Sequence, residues 1–317
     1  MHGTSDSAEL PPGDEPGDLG TCAGGPANAA VGRGDASTFP SDQAAWTVIR
    51  ARGGWRLLDL AELWRYRDLL WMLALRDIKV RYKQTLIGVA WAILQPLAMM
   101  VIFYGLFRLL GARAVAQGVP YAVSAYSGLL LWQLFSTSLS QASNSLVDNQ
   151  AIVKKIYFPR LFFPLAPIVA ALVDFAVALT LLAGMVFWYG VAIGWSVLAA
   201  PLFVLLAVIT ALAVALWFSA LSAMYRDFRY LVPFLLQLWL FVTPVLYETG
   251  SVIPERWRLW YFLNPMAGIV EGFRWTIFGL SAPPLGDLGV SMAGVAALLL
   301  TGLWYFRWAE GTIADWV

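Results

Sequence analysis

The chain has 317 residues, of which 60% are hydrophobic and only 13% are charged, and its mean hydropathy is +0.67. Soluble domains are nearer to about 45–50% apolar and about 25% charged, so the composition indicates a membrane protein. The net charge of +1 argues against nucleic-acid binding, and one cysteine with one histidine excludes zinc clusters, Ser-His or Cys-His catalysis and an internal disulfide.

The first 45 residues are rich in Gly, Pro, Ala and Asp and contain no apolar run. Such a segment buries too little apolar surface to offset the entropy of ordering, and it lacks the basic start and apolar run of a signal peptide. The sequence therefore predicts a disordered cytoplasmic tail over residues 1–45.

Residues 46–83 form the next region, in which helix-forming residues and charges are mixed from Leu60 to Lys83. Apolar side chains near helical spacing, such as Trp64, Trp71 and Ile78, fall largely on a different face from the charges. The pattern predicts an amphipathic interface helix that lies on the cytoplasmic surface of the membrane. A lipid-surface anchor and a docking role are equally open from this pattern.

Residues 84–317 contain six uncharged or nearly uncharged runs, each long enough for a hydrocarbon core about 30 Å thick. The predicted spans are Gln84–Phe107, Tyr121–Ser143, Leu161–Tyr189, Ser196–Leu221, Tyr230–Tyr247 and Leu288–Phe306. Basic residues beside these spans are concentrated on the side of the amino terminus, which predicts that both termini are cytoplasmic. The fold class is therefore an all-α integral membrane protein with six transmembrane helices.

The connection between the fifth and sixth spans, Ile253–Gly279, is rich in Trp and spotted with charges. Pro254 and the pair Asn264-Pro265 interrupt it. It predicts two short re-entrant helices that dip into the outer leaflet without crossing.

Asp174 is predicted near the middle of the third span, where a charge costs roughly 2.5–3.5 kcal/mol on insertion scales. It is either a substrate or gating contact, or a packing hydrogen bond inside the bundle. No basic residue is predicted at the same depth, so the expected partners are hydroxyl groups of the second span. That span is unusually polar, which indicates a bundle interior or a water-filled path.

The cytoplasmic connection from Asp148 to Arg160 starts with an acid and reaches a proline near its end, which predicts a short helix. This segment either seats in a partner protein or forms a solvated turn. None of the lysines follows a glycine, so the chain has no P-loop and any ATP-driven work requires another polypeptide. Aromatic residues in the spans are either interface belts or the lining of a pathway.

Several segments in a fixed order carry a family resemblance. They are Leu75–Pro96, Ser143–Val147, Lys154–Phe175, Tyr225–Tyr247 and Leu263–Trp275. Together they closely resemble the membrane domain of ABC-2-type exporters of polysaccharide and polyol phosphate. The resemblance extends from about Leu60 to the carboxyl terminus and does not include the tail.

The resemblance implies a permease like those that export O-antigen, capsule or teichoic acid chains across the bacterial inner membrane. Such a permease pairs with a second copy of itself and with two copies of a separate ATPase. ATP and Mg then belong to the partner, and the chain itself is expected to be neither an enzyme nor a holder of a cofactor or metal. The expected substrate is a lipid-linked glycan that passes through the dimer interface.

The same resemblance implies roles for three sets of residues. ATPase docking is expected of Arg76, Asp77, Lys79, Arg81, Asp148, Asn149, Lys154, Lys155 and Tyr157. The channel lining is expected to include Trp91, Phe103, Tyr104, Trp239 and Phe241. The periplasmic gate is expected to include Pro254, Trp257, Trp260, Asn264, Pro265, Glu271 and Arg274.

Three alternatives remain at this point. Within the family, an exporter of a drug or small lipid is the nearest, because the motifs do not specify the cargo. A membrane-embedded glycosyltransferase or acyltransferase would need an acid or histidine at a membrane boundary and usually a large soluble loop; the lone His2 and the short loops count against it. An ion-coupled transporter would typically show internal repeats, and none is detectable.

Overall fold

A computed structural model of the chain describes residues 64–83, 88–109, 119–155, 159–279 and 284–316. The predicted tail and the first part of the predicted interface region lie outside these ranges. Within them the regular elements are helices, which confirms the all-α prediction. The α-helices are α1 Arg67–Lys83, α2 Ala90–Leu109, α3 Tyr121–Asp148, α4 Gln150–Lys155, α5 Phe162–Trp188, α6 Ala200–Met224, α7 Phe228–Val242, α8 Thr249–Val252, α9 Glu255–Tyr261, α10 Pro265–Phe278 and α11 Leu285–Trp316; a 3-10 helix, Trp195–Ala199, leads into α6.

Among the described helices, three are long and apolar enough to cross a membrane: α5, the unit Trp195–Met224 that ends in α6, and α11 over Leu285–Gly311. The apolar stretches Ala90–Leu106 in α2 and Phe228–Val242 in α7 are shorter. With 28 residues, α3 is about 42 Å long at 1.5 Å per residue, but it carries many polar side chains. Length and composition thus support a membrane protein with several apolar helices.

The helix α3 lies at the centre of the bundle, where it packs against α5 and α6, and α6 packs in turn against α11. Its serines at 138, 143 and 145 are buried, and the Ser143 hydroxyl donates to the Leu139 carbonyl at 2.6 Å. Small polar side chains that bond to their own helix let neighbouring helices approach closely. These three serines thus lie in the bundle interior, whereas Thr137 and Gln141 of the predicted second span line a cavity that is described below.

Helix ends differ from the predicted spans where local chemistry overrides hydropathy. The helix α7 stops at Val242 rather than Tyr247, because Pro244 disfavours a helical conformation at Thr243, which is extended (φ −100°, ψ 140°). By contrast, α3 continues beyond Ser143 to Asp148, and α11 continues beyond the predicted sixth span to Trp316. The predicted cytoplasmic helix is present as α4.

The helix α1 packs along α5. Leu73 and Ala74 belong to the same buried cluster as Phe162 and Phe163 of α5. Trp64 and Trp71 stay 71% and 58% exposed. The predicted apolar face is therefore divided between contact with the bundle and a surface of the kind that interfacial helices present to lipid.

Between α7 and α11, the helices α9 and α10 lie where the sequence predicts two short helices, and α8 precedes them. The 14 residues of α10 span only about 21 Å, less than the roughly 30 Å of a hydrocarbon core. The Asn264 side chain caps α10 by accepting a hydrogen bond from the Met266 amide at 3.2 Å. Buried on nearly every side chain, α10 packs against α3, α6 and α11.

The close contact between α6 and α11 depends on Gly302. A Cβ added there would lie 2.6 Å from the Ala213 carbonyl oxygen and 3.2 Å from Cδ1 of Trp217. Gly302→Ala should therefore lower the stability of the detergent-solubilised protein by about 1–3 kcal/mol, as overpacking does. The thermal unfolding midpoint measures this loss.

Gly184→Ala is the matched control, because an added Cβ at this position in α5 meets nothing within 4 Å. We expect it to leave the midpoint unchanged or slightly raised, since alanine favours a helix over glycine. Equal midpoints for the two variants would contradict the close approach of α6 and α11.

Candidate functional site

A cavity of about 300 Å³ lies between the carboxyl end of α1 and the helices α2, α3 and α5. Much of its wall is apolar. Its polar lining consists of Arg81, Tyr82, Gln95, Gln133, Thr137, Gln141 and Asp174. A mostly apolar concave site with a few converging polar groups is the usual form of a functional site.

Asp174 and Arg81 form the centre of this polar lining. The Arg81 guanidinium donates to Oδ2 of Asp174 through Nη1 and to Oε1 of Gln141 through Nη2. The Tyr82 hydroxyl donates to the other carboxylate oxygen, Oδ1 of Asp174. Two neighbouring residues of α1 thus bond to one carboxylate of α5, and Arg81 also bonds to α3.

The ion pair is largely removed from water, because the side chains of Arg81 and Asp174 are only 23% and 18% exposed. Burial lowers the pKa of Arg81, while the neighbouring Tyr82 and Asp77 act in the opposite direction. Arginine nevertheless stays cationic, since its reference pKa is about 12.5 or higher. Burial raises the pKa of Tyr82, so its hydroxyl keeps the proton that it donates.

The prediction that Asp174 bonds to hydroxyl groups of the second span is wrong. The partners are Arg81 and Tyr82, which the sequence placed on a surface helix outside the spans. Asp174 therefore contacts other helices of the protein, as one interpretation of the sequence expects, but its partner is a cation rather than a hydroxyl group. A role in substrate contact or gating stays a prediction. Of the second span, Gln141 takes part through Arg81.

The residues expected to dock an ATPase fall into distinct environments. Arg76 bonds to its neighbour Asp77 at 2.8 Å, and Lys79 is exposed on α1. Asp148, at the end of α3, pairs with Arg229 of α7 at 2.6 Å, with both side chains about half exposed.

The remaining docking residues are at or beyond the junction of α3 and α4. The Asn149 side chain donates to the Ser145 carbonyl at 2.7 Å. Lys154 and Lys155 end α4, and Tyr157 lies outside the described residues. Sequence reasoning did not identify Arg229 in this group; its position beside a predicted span and the acid at the end of α3 were the available signals.

The aromatic residues expected to line a channel are not equivalent. Trp91, Tyr104 and Phe241 are 52%, 43% and 62% exposed, whereas Phe103 is half-buried against the core. Trp239 is engaged within the chain: its indole N–H donates to Oδ1 of Asn264 at 2.9 Å. Its ring meets the edge of Phe135, with centroids 5.1 Å apart.

One face of α7 is exposed and apolar along its whole length. Its residues follow helical spacing and are Tyr230, Phe234, Leu238 and Phe241. The helix α2 likewise exposes apolar side chains, namely Trp91, Leu94, Val101, Ile102, Tyr104 and Leu106. Both helices pack on α3, so each covers the bundle with one side and presents the other outward.

Arg274, expected in a periplasmic gate, is 5% exposed and lies inside the protein. Its guanidinium donates to backbone carbonyls of α3 and of the turn after α7. The acceptors are the carbonyls of Ser124 at 3.2 Å, Pro244 at 2.8 Å and Tyr247 at 3.0 Å, and the carbonyl of Val245. The guanidinium is thus bonded to backbone carbonyls inside the protein, and the gate role of Arg274 stays a prediction.

Gly128 makes room for this arrangement. A Cβ there would lie 2.6 Å from both Nη2 of Arg274 and the Val245 carbonyl oxygen. Beyond the turn, Glu271 accepts a hydrogen bond from the Thr249 amide at 3.1 Å. Burial raises the pKa of the nearby Glu248, against the lowering effect of Arg274 and with a further raising effect from Glu271.

The other expected gate residues lie in α9, in α10 and beside them, and they differ in exposure. Pro254 precedes α9 and Pro265 starts α10, while Trp257 and Trp260 are 55% and 69% exposed on α9. Arg258 joins α9 to α11 through an ion pair with Asp287 at 2.6 Å. Asn264 ties α10 to the end of α7, because it accepts from Trp239 and donates to the Thr243 hydroxyl at 3.0 Å.

The family model for ABC-2 type transporters matches residues 68–278, from the start of α1 to the end of α10. The chain belongs to the ABC-2 type transporter family. It is similar to the O-antigen export system permease protein RfbA of Myxococcus xanthus, with 30% identity over 80% of this chain and 94% of that protein. The protein of the same name from Klebsiella pneumoniae is 31% identical over 65% of this chain and 79% of its own length, and the polysialic acid transport protein KpsM of Escherichia coli is 24% identical over 73% and 88%.

In this ABC-2 transporter, replacing Arg274 should be among the most damaging single changes to stability. Arg274→Gln would leave several buried carbonyls without a donor, at about 1–3 kcal/mol for each unsatisfied group. We expect a large fall of the thermal unfolding midpoint in detergent. Arg256→Gln is the control, since Arg256 is exposed on the neighbouring helix α9. Similar midpoints for both variants would show that the carbonyl contacts contribute little.

Proposed function

We propose that the chain is the membrane-spanning permease subunit of an ABC exporter that moves a lipid-linked polysaccharide across the bacterial inner membrane. The observation that carries the proposal is the similarity to the M. xanthus O-antigen export permease, which extends over 94% of that relative. The relatives from K. pneumoniae and E. coli are also named for export of O-antigen or transport of polysialic acid. An O-antigen-like or teichoic-acid-like glycan is the proposed cargo.

The proposed topology has six spans, formed by α2, α3, α5, α6, α7 and α11, with both termini in the cytoplasm. Supporting this orientation, the end of α1, the start of α7 and the last part of α11, which share one side in this topology, carry the basic residues Lys83, Arg229 and Arg307. The short helices α9 and α10 then lie in the outer leaflet as re-entrant elements. Their lengths and the exposed Trp257 and Trp260 support this position, since tryptophan favours the membrane interface.

The proposed channel lies between two copies of the chain. The outward faces of α2 and α7 support it, because they combine exposed aliphatic side chains for a protein contact with exposed aromatic rings. Aromatic rings offer flat apolar surfaces to sugars and carry no net charge. A glycan can therefore slide past them without encountering a strongly attractive site.

The proposed energy source is a separate ATPase, present in two copies, that binds ATP and Mg. The chain contains no P-loop, as noted from its lysines. The exposed end of α3 with Asp148, the following α4 and the exposed charges of α1 form the proposed docking region. ATP binding would move this region, open the dimer interface and let the lipid head and then the sugars pass, while α9 and α10 form the outer gate.

Co-expression with an ATPase encoded beside this chain tests the proposal. Purification through a tag on this chain should yield a complex with two copies of each subunit, measured by light scattering. Cells without this chain should lose their surface glycan, measured by lectin binding. If the chain purifies without every neighbouring ATPase and its deletion leaves the surface glycan unchanged, the proposal fails.

The docking role of Asp148 can be separated from its ion pair. Asp148→Asn combined with Lys154→Gln should lower the affinity for the ATPase by up to about thirty-fold, since each lost charge contact with a partner costs up to about 1 kcal/mol. Surface glycan should fall while the amount of permease in the membrane stays constant. Co-purified ATPase and lectin binding are the measurements.

Arg229→Gln is the matched control, because it breaks the same ion pair from the α7 side. It should retain the ATPase if Asp148 acts through docking rather than through the contact between α3 and α7. Unchanged export in the Asp148→Asn, Lys154→Gln variant would remove both residues from the docking region.

A further inference from the structure

Arg81 occupies a position that docking to an ATPase does not explain. Its guanidinium points into the protein, where it holds Asp174 of α5 and Gln141 of α3. A side chain that is 23% exposed and already engaged by two partners has little to offer a separate subunit. The contact instead joins α1, whose exposed charges belong to the proposed docking region, to two helices of the central bundle.

The acceptors available to Arg81 continue along α3. Gln141, Thr137 and Gln133 follow one another at intervals of four residues, about 6 Å or one helical turn each, and all three line the same cavity. Gln133 and Thr137 already face each other, since Nε2 of Gln133 donates to Oγ1 of Thr137 at 3.1 Å. The cavity therefore presents a row of hydrogen-bonding groups, which we call the α3 ladder.

The cavity also has room for the guanidinium to move. Its volume of about 300 Å³ is next to the ion pair, and its remaining walls include the smooth apolar surfaces of Leu130, Leu134 and Ala171. Packed elements change position in discrete steps, and a one-turn shift of one element past another is an established form of such a step. Arg81 at Gln141 is then one of the positions that the α3 ladder allows.

We propose that Arg81 is a coupling residue that steps along the α3 ladder and thereby transmits displacement of α1 to the transmembrane bundle. The inference rests on the proposed function, because it assumes that an ATPase moves the docking region. In the starting position, Asp174 and Gln141 bind the Arg81 guanidinium and Tyr82 bonds to the same carboxylate. After the step, the guanidinium bonds to Thr137 instead of Gln141. Arg81 is accordingly a positioning residue and not an ATPase contact.

The ion pair itself is tested without any partner, by a double-mutant cycle in the thermal unfolding of the purified chain. Arg81→Gln and Asp174→Asn should each lower the midpoint, because each leaves one half-buried charge without its partner. The double variant should be more stable than the sum of the two losses predicts. Additive losses would overturn the pair and the proposal with it.

Coupling is tested in the complex with the ATPase. The double variant Arg81→Gln, Asp174→Asn should keep the ATPase bound and hydrolyse ATP within about two-fold of the parent rate. Surface glycan, measured by lectin binding, should fall about ten-fold. Thr137→Val should give the same loss of glycan export per ATP hydrolysed, although it leaves the Arg81–Asp174 contact in place. Thr180→Val is the matched control and should alter neither quantity, because Thr180 is exposed on α5 and its hydroxyl donates to the Val177 carbonyl of the same helix.

Two results would overturn the coupling role. Loss of the ATPase from the double variant would make Arg81 a docking contact, and parent-level export in both the double variant and Thr137→Val would show that no step along the α3 ladder occurs. If the unaltered chain neither binds an ATPase nor affects surface glycan, the proposed function fails and the coupling role falls with it. The double-mutant cycle still separates this case, since it reports the ion pair alone.

Discussion

The buried guanidinium of Arg274 joins α10 to the turn after α7 and to the first part of α3. Irregular backbone at membrane depth needs a protein donor for each carbonyl, because hydrocarbon supplies no water. Arg274 supplies several donors from one side chain, and they reach the turn after α7 and the first part of α3. Gly128 leaves the space that this convergence requires. The turn after α7 is thus joined to α10 and α3 by a single cation.

A second arginine, Arg81, bonds to α3 closer to its other end, and its partners are of a different kind. Arg274 is fully enclosed and bonded to neutral carbonyls, so every contact is fixed by backbone that cannot move independently. Arg81 is bonded to the carboxylate of Asp174 and to a side-chain amide, it keeps some exposure, and a cavity adjoins it. The first arrangement holds a structure in place, whereas the second leaves alternative acceptors within one helical turn.

The sequence predicts much of the helical framework because long apolar runs are bounded by breakers. The predicted third span, Leu161–Tyr189, and α5 differ by one residue at each end. Hydropathy misplaced the end of α7 because the apolar run continues through Pro244, although the proline was a visible signal. The partners of Asp174 could not be predicted: Arg81 lies 93 residues away in sequence, and the contact depends on how α1 packs on α5. The carbonyl partners of Arg274 could not be predicted either, since hydropathy contains no information about backbone acceptors.

Three arginines from other helices bond to α3. Arg274 reaches it at Ser124, Arg81 at Gln141 and Arg229 at Asp148, positions that span about 36 Å of helix axis. Several buried serines bond to the backbone of α3 itself, and their small side chains let α5 and α6 pack closely on either side. The same helix thus contacts Arg274 near its start, Arg81 in its second half and Arg229 at its end. The polar side chains of α3, unusual for a membrane helix, therefore have two effects. The small ones allow close packing of the neighbouring helices, and the larger ones, Gln141 and Asp148, supply acceptors for Arg81 and Arg229.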